Sequence, residues 1–275
     1  MKKVIILFAI SVTLFSCRKR YDNDPSVLMN FKVATAFDEM TNISDQAISG
    51  DLVYYKSFGD VVFSKPSEII PDLKQPCSVI ITLDTTVSPK ILTVDYGDVN
   101  CDCNDGKSRR GKIITTFTGP YVNEGTVITH TTDNYYVNDL KIDGTKTVEN
   151  MGLNTDNQPY YSVQIAGVAT EIDGEVLTYT SSRERTWVAG FNTLLNRWDD
   201  EYTITGTSTG SFSSGGGFSS NTINPILIKI GCPYPVSGSL QITPNNRPDR
   251  IIDYGNGTCD NTFTVTVNGH TFTIN

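Results

Sequence analysis

The chain has 275 residues, 22 Lys+Arg against 30 Asp+Glu, a formal net charge of −8 and six cysteines. That acidic balance excludes a broad phosphate-reading surface, so no nucleic-acid partner is expected. The length suffices for one large all-β domain or two small ones, and six cysteines fit an exported protein in an oxidising compartment.

The N-terminus reads as an export signal. Lys2 and Lys3 form a positive n-region, and Val4 to Phe15 form an apolar run too short to span a bilayer as a helix. Leu14-Phe15-Ser16-Cys17 matches a lipobox, with Leu three before the cysteine and a small residue just before it. Residues 1–16 are therefore expected to be removed as a lipoprotein signal peptide, and Cys17 to carry acyl chains as a membrane anchor. Loss of Lys2 and Lys3 takes the net charge to −10. Arg18 follows Cys17 where some bacteria use Asp for inner-membrane retention. The expected location is the outer membrane, on either side of it. Residues 17–29 read as the lipidated cysteine and a flexible tether.

A helix is expected near 31–48, where Val33, Ala36, Phe37, Met40, Ile43 and Ala47 recur at helical spacing and Gly50 offers a stop. From about residue 52 the period switches to two. Leu52 to Tyr55 and Val61 to Phe63 are short β candidates, followed by breaks at Pro66, Pro71 and Pro76. Strands follow at Ser78 to Leu83 and Lys90 to Asp95, then a polar loop from Asp98 to Arg110 and a strand from Lys112 to Thr118. Thr126 to Val137 and Leu140 to Glu149 flank Asn138-Asp139. Tyr160 to Thr170 and Glu175 to Val188 flank Asp173-Gly174, a hairpin signal. Glu201 to Thr209 leads through a Ser/Gly-rich run to a strand ending near Ile230. Ser237-Gly238 and Asn268-Gly269 mark further turns, and Thr271 to Ile274 forms another strand.

Thr, Ser and Tyr recur throughout these strands, so they read as antiparallel and wet on at least one face. Residues 30–275 are expected to form one β-rich domain: an all-β antiparallel meander, as an open sandwich or an extended sheet, with one N-terminal α-helix packed on it.

One stretch occurs twice. Cys77 opens a strand, a turn follows, and a second strand ends in Asp95-Tyr96-Gly97, four residues before Cys101. Cys232 likewise precedes Asp253-Tyr254-Gly255 and Cys259. If each copy is a hairpin, its two cysteines lie at adjoining strand ends. The midpoints fall on Pro89 and on Asn245-Asn246, both turn residues. The expected disulfides are Cys77–Cys101 and Cys232–Cys259, with Cys103 free.

Chemistry-bearing residues are sparse. His130 and His270 are the only neutral-pH bases, and both sit in Thr-rich strands without a nucleophile motif. No zinc spacing and no cofactor motif is present. Asp98 to Gly106 alternates oxygen side chains as a calcium loop does. It lacks the glycine and glutamate an EF-hand requires, and a solvated turn explains it as well. Asp199-Asp200-Glu201 offers paired carboxylates of the kind glycosidases use. Trp187, Trp198, Tyr135 and Tyr136 are the candidate contacts for a glycan, against ordinary cross-strand packing.

Several runs together resemble a family of uncharacterised predicted lipoproteins from Bacteroidota. They are the lipobox, the Cys–strand–Asp-Tyr-Gly–Cys units, Asp105-Gly106-Lys107-Ser108-Arg109-Arg110-Gly111-Lys112-Ile113, Asp133-Asn134-Tyr135-Tyr136-Val137-Asn138, Arg185-Thr186-Trp187-Val188-Ala189-Gly190 and Tyr202-Thr203-Ile204-Thr205-Gly206. The resemblance implies a lipid-anchored envelope protein and leaves its activity open. The expectation is a non-enzymatic protein with a structural or binding role, its partners the membrane through the N-terminal lipid and either glycan or envelope proteins. The alternatives are a glycan-binding or adhesion module and a glycoside hydrolase-like enzyme.

Overall fold

The computed structural model describes residues 25–49, 79–103, 105–193, 197–232, 235–260 and 262–274. The signal, Cys17, the two short strands expected between residues 52 and 63, and Cys77 lie outside the described residues.

The body is one open antiparallel sheet. Its strands are β1 (Ile80–Asp84), β2 (Lys90–Asp95), β3 (Cys101–Asp102), β4 (Ser108–Phe117), β5 (Val127–Val137), β6 (Leu140–Leu153), β7 (Pro159–Thr170), β8 (Val176–Ala189), β9 (Glu201–Phe212), β10 (Gly217–Lys229), β11 (Ser237–Pro244), β12 (Arg250–Asn256), β13 (Phe263–Val267) and β14 (His270–Ile274). Each pairs with the next, except that β4 pairs with β2 and β3 adds only to β4. The sandwich alternative is thereby set aside. Alternation is clean: β4 reads half-buried, buried along all ten residues. The outward face carries rows of hydroxyls and amides, such as the Thr180–Thr209 pair at 2.8 Å and Gln164 donating to Ser182 at 3.0 Å.

Three sequence expectations are corrected. The strand expected from Lys112 begins at Ser108, because Arg109 and Arg110 pair with Val137 and Tyr136 of β5. Ser237-Gly238 is no turn; it opens β11, and the register with β12 shifts between Ser237 and Ser239. The helix α1 (Pro25–Ser49) starts inside the expected tether. Proline is well suited to the first helical position, where its missing N–H costs nothing and its φ is already helical.

The helix lies on the inward face and crosses the strands in reverse order. Ser44 bonds Thr115 of β4 (2.7 Å) and Thr41 meets His130 of β5 (3.2 Å). Lys146 of β6 donates to the Phe37 carbonyl (3.2 Å), Ser208 of β9 donates to Asn30 (3.1 Å), and Phe31 stacks on Phe263 of β13 at 6.4 Å. Met29, Val33, Phe37, Met40 and Ile43 are buried beneath it. Phe37 fits a hole made by the cross-strand glycines Gly144 and Gly167. A Cβ added there would stand 2.9 and 2.5 Å from the Phe37 ring. Burying one such ring contributes about 2–3 kcal/mol.

Candidate functional site

The functional geometry is the seam between α1 and the sheet. A register line runs Thr115, His130, Lys146, Ile165, Ser181, Ser208, Ser220 across β4 to β10. Every polar member of that line is buried, so each needs a partner. The His130 Nδ1 lies 2.8 Å from the Thr115 hydroxyl, and Ser208 lies 2.6 Å from Ser220. Burial holds His130 well below the usual imidazole range, and the Lys146 and Arg185 charges push the same way. The imidazole is a neutral hydrogen-bonding spacer.

Charge pairs clamp the helix on both flanks. Asp38 receives Lys146 (3.1 Å) and Arg183 (2.9 Å). Burial alone would raise its carboxyl, but the two cations outweigh it and hold the pKa at about 2. Glu39 receives Arg109 (3.0 Å) and Lys107, and Lys32 reaches Glu171 at 2.7 Å. Arg109 also grips Asp105 through both amino nitrogens (2.9 and 2.6 Å). The Asp105-Gly106-Lys107-Ser108-Arg109 run therefore ties a loop to the helix. Asn100 and Asp139 meanwhile accept from Arg110 at 2.5 and 2.6 Å. Among the described residues no group of three His, Cys, Asp or Glu side chains could hold a metal.

The ring platform expected for a glycan is not assembled. Tyr135 and Trp187 are buried, at 0% and 1% exposure, whereas Trp198 is 70% exposed. Tyr136 lies half-buried under Arg110, with the guanidinium 3.6 Å from its ring centre. Tyr135 lines up through β6 and β7 with Leu177, at the opposite end of β8 from Trp187. Ten residues of strand separate those two points, about 33 Å. Trp187 instead stacks on Tyr202 at 5.6 Å in a cluster with Tyr121, Tyr161 and Phe191. Arg185 lies among these rings, 4.9–5.5 Å from three ring centres. It also donates to the Tyr121 hydroxyl, so a hydrogen bond and cation–π contacts together hold it.

The carboxylates do not converge either. Asp200 is buried beside the Tyr202 hydroxyl (3.4 Å), and Glu201 pairs with Lys229 at 3.1 Å. Asp199 accepts from Thr193 at 2.7 Å. Adjacent residues entering a strand point to opposite faces, so Asp200 and Glu201 cannot flank one sugar ring.

The duplicated motif has the same local build in both copies. Asp95 and Asp253 each accept the N–H of the glycine two residues on, at 2.8 Å. Gly97 and Gly255 have φ of +79° and +94°, and Tyr96 and Tyr254 are buried. Burial pushes the Tyr254 hydroxyl up to about 12. Cys232 and Cys259 form a disulfide with Cα atoms 5.5 Å apart. Cys101 is also disulfide-bonded. Cys103 is free and buried, and burial raises its pKa despite the nearby Arg109. A buried, protonated thiol is a poor nucleophile.

No protein-family model, curated protein or solved structure matches this chain. No helix among the described residues is long and apolar enough to cross a membrane.

Proposed function

We propose that this chain is a lipid-anchored, non-enzymatic protein of the bacterial cell envelope, with a structural or binding role at the outer membrane. The observation that carries the reading is the occupied inner face. An open sheet offers a ligand its two faces, and here α1 covers one of them with its own apolar stripe and flanking ion pairs. Lys107, Arg109, Lys146 and Arg183 are engaged in holding the helix through Asp38 and Glu39. What is left for a partner is the outer hydroxyl-rich face, the strand ends and the sheet edges. The buried tyrosine and tryptophan leave the glycan reading without its platform.

The anchor is tested by labelling with radioactive palmitate in a native host. Label is expected in the wild-type outer-membrane fraction and absent from a Cys17→Ala variant. Label that survives Cys17→Ala removes the anchor.

A further inference from the structure

The face of the sheet turned away from α1 is uncharged across β7 to β11. One register line there runs Gln164, Ser182, Thr207, Asn221, Gln241 without a break. Two residues along the strands, a parallel line joins Thr180, Thr209, Ser219 and Thr243. Ala166 apart, both lines carry a hydroxyl or a carboxamide on every strand. All of these side chains are exposed except Gln241, which is half-buried and donates to Asp249 at 2.7 Å. Strands β7 and β11 contain no Asp, Glu, Lys or Arg. Strands β9 and β10 contain one charged residue each, Glu201 and Lys229, which pair with each other at the strand ends. On β8, Arg183 and Arg185 turn inward and Glu184 alone of the charged residues faces out. A solvated surface ordinarily carries charge at about 25–35% of its positions. This stripe goes without it over four strand spacings, about 19 Å.

The side chains are also held in place. Thr180 and Thr209 share a hydrogen bond at 2.8 Å, and Gln164 donates to Ser162 (3.3 Å) and Ser182 (3.0 Å). Threonine is stiff at χ1. A ligand arriving here therefore orders few side chains.

The chemistry of the stripe says which ligand. Hydroxyls and carboxamides both donate and accept. A partner built of the same ambivalent groups can answer each of them. An apolar partner would strand them, and an anionic one finds no cation in the stripe on a chain of net charge −8. An uncharged polysaccharide meets both conditions. Its hydroxyls recur along one chain as these side chains recur from strand to strand, and a flexible chain can follow the twist usual in such sheets.

We propose that the outer stripe across β7 to β11 binds an uncharged linear polysaccharide lying across the strands. This deepens the binding role proposed above and rests on that reading, but not on the anchor. It needs no ring platform, because contacts repeated along one polymer reinforce each other through effective concentration.

Native electrophoresis of the Cys17→Ala protein tests this, in gels containing hydroxyethylcellulose, galactomannan, dextran or pullulan, with polygalacturonate as the anionic control. At least one neutral polymer is expected to retard the protein, and polygalacturonate to leave it unaffected. Oligosaccharides of the retarding polymer should restore the mobility, a readout that needs no change in the stripe. Ser182→Glu and Thr209→Glu should each raise the apparent Kd at least tenfold and Thr209→Ser less than twofold. Ile172→Glu, in a turn where the side chain is 84% exposed, should leave it unchanged. The stripe is overturned by no retardation in any of the four neutral gels, by retardation that oligosaccharides do not relieve, by equal retardation in both stripe variants and the parent, or by equal retardation in polygalacturonate. Release of reducing ends from the bound polymer overturns the non-enzymatic reading instead and leaves the stripe standing.

Discussion

His130 shows how a residue that looks catalytic becomes structural. In the unfolded chain its imidazole takes a proton near pH 6.5, and in the fold burial refuses that proton. The unfolded state therefore binds more protons below pH 6.5. Stability is full above that value and falls as pH drops, by at most about 1.4 kcal/mol per pH unit. Asp38 acts in a lower window. Its folded pKa of about 2 lies below the ordinary 3.8, so its contribution is present above pH 3.8 and is lost as pH falls toward 2. Its side chain keeps 39% exposure, so solvent screening reduces that contribution to about 1 kcal/mol. Denaturant titrations at pH 7.5, 6.0 and 5.0 should show a falling midpoint in wild type and a flatter profile in His130→Gln. An equal slope in both removes His130 as the cause. Gly167 makes a steric prediction. A methyl there meets both the Phe37 ring (2.5 Å) and the Asp143 carbonyl oxygen (2.8 Å). Gly167→Ala should cost about 2–3 kcal/mol, and Phe37→Leu should not restore it, because the backbone contact remains. Thermal melts of the single and double variants decide this.

At the scale of elements, the strands were legible from alternation and turn residues, and the helix from its apolar stripe. Neither told which face of a strand points inward. On β8 the inward set is Leu177, Tyr179, Ser181, Arg183, Arg185 and Trp187, whose middle, Ser181 to Arg185, has the composition of a solvated face. The charges are there because α1 brings Asp38 to meet Arg183, a pairing 145 residues apart that no local window contains. Contacts between residues distant in sequence likewise bury Trp187 against Tyr121 and Tyr135 against Tyr96. The early start of α1 was legible in principle from Asp24-Pro25, a capping residue followed by proline. The repeat was the strongest local signal. It placed hairpins at β1–β2 and β11–β12 and located the Cys232–Cys259 bond. That bond closes a loop of 27 residues and should stabilise by about 3–4 kcal/mol. Non-reducing peptide maps should contain a Cys232–Cys259 peptide and a Cys77–Cys101 peptide. Cys103 should alkylate only after unfolding. A Cys77–Cys103 peptide as the main species refutes the assignment for the first copy.

At the scale of the molecule, the sheet grows by pairing almost every strand with its predecessor, so most of it can form hairpin by hairpin as the chain arrives. The helix cannot. It is made first, yet its partners run from β4 to β13, from Thr115 to Phe263. During synthesis it emerges long before the surface it covers exists. Docking of α1 is therefore the closing event of folding, and until then the inward arginines and tyrosines stand bare. This predicts a kinetic asymmetry. Phe37→Ala should raise the unfolding rate by roughly the whole 3–4 kcal/mol lost and leave the refolding rate almost unchanged. A slower refolding limb in stopped-flow chevrons would instead put the helix in the folding nucleus. A late-docking helix also leaves, just before the last step, a finished sheet with its inner face open to any chaperone that holds unfinished chains.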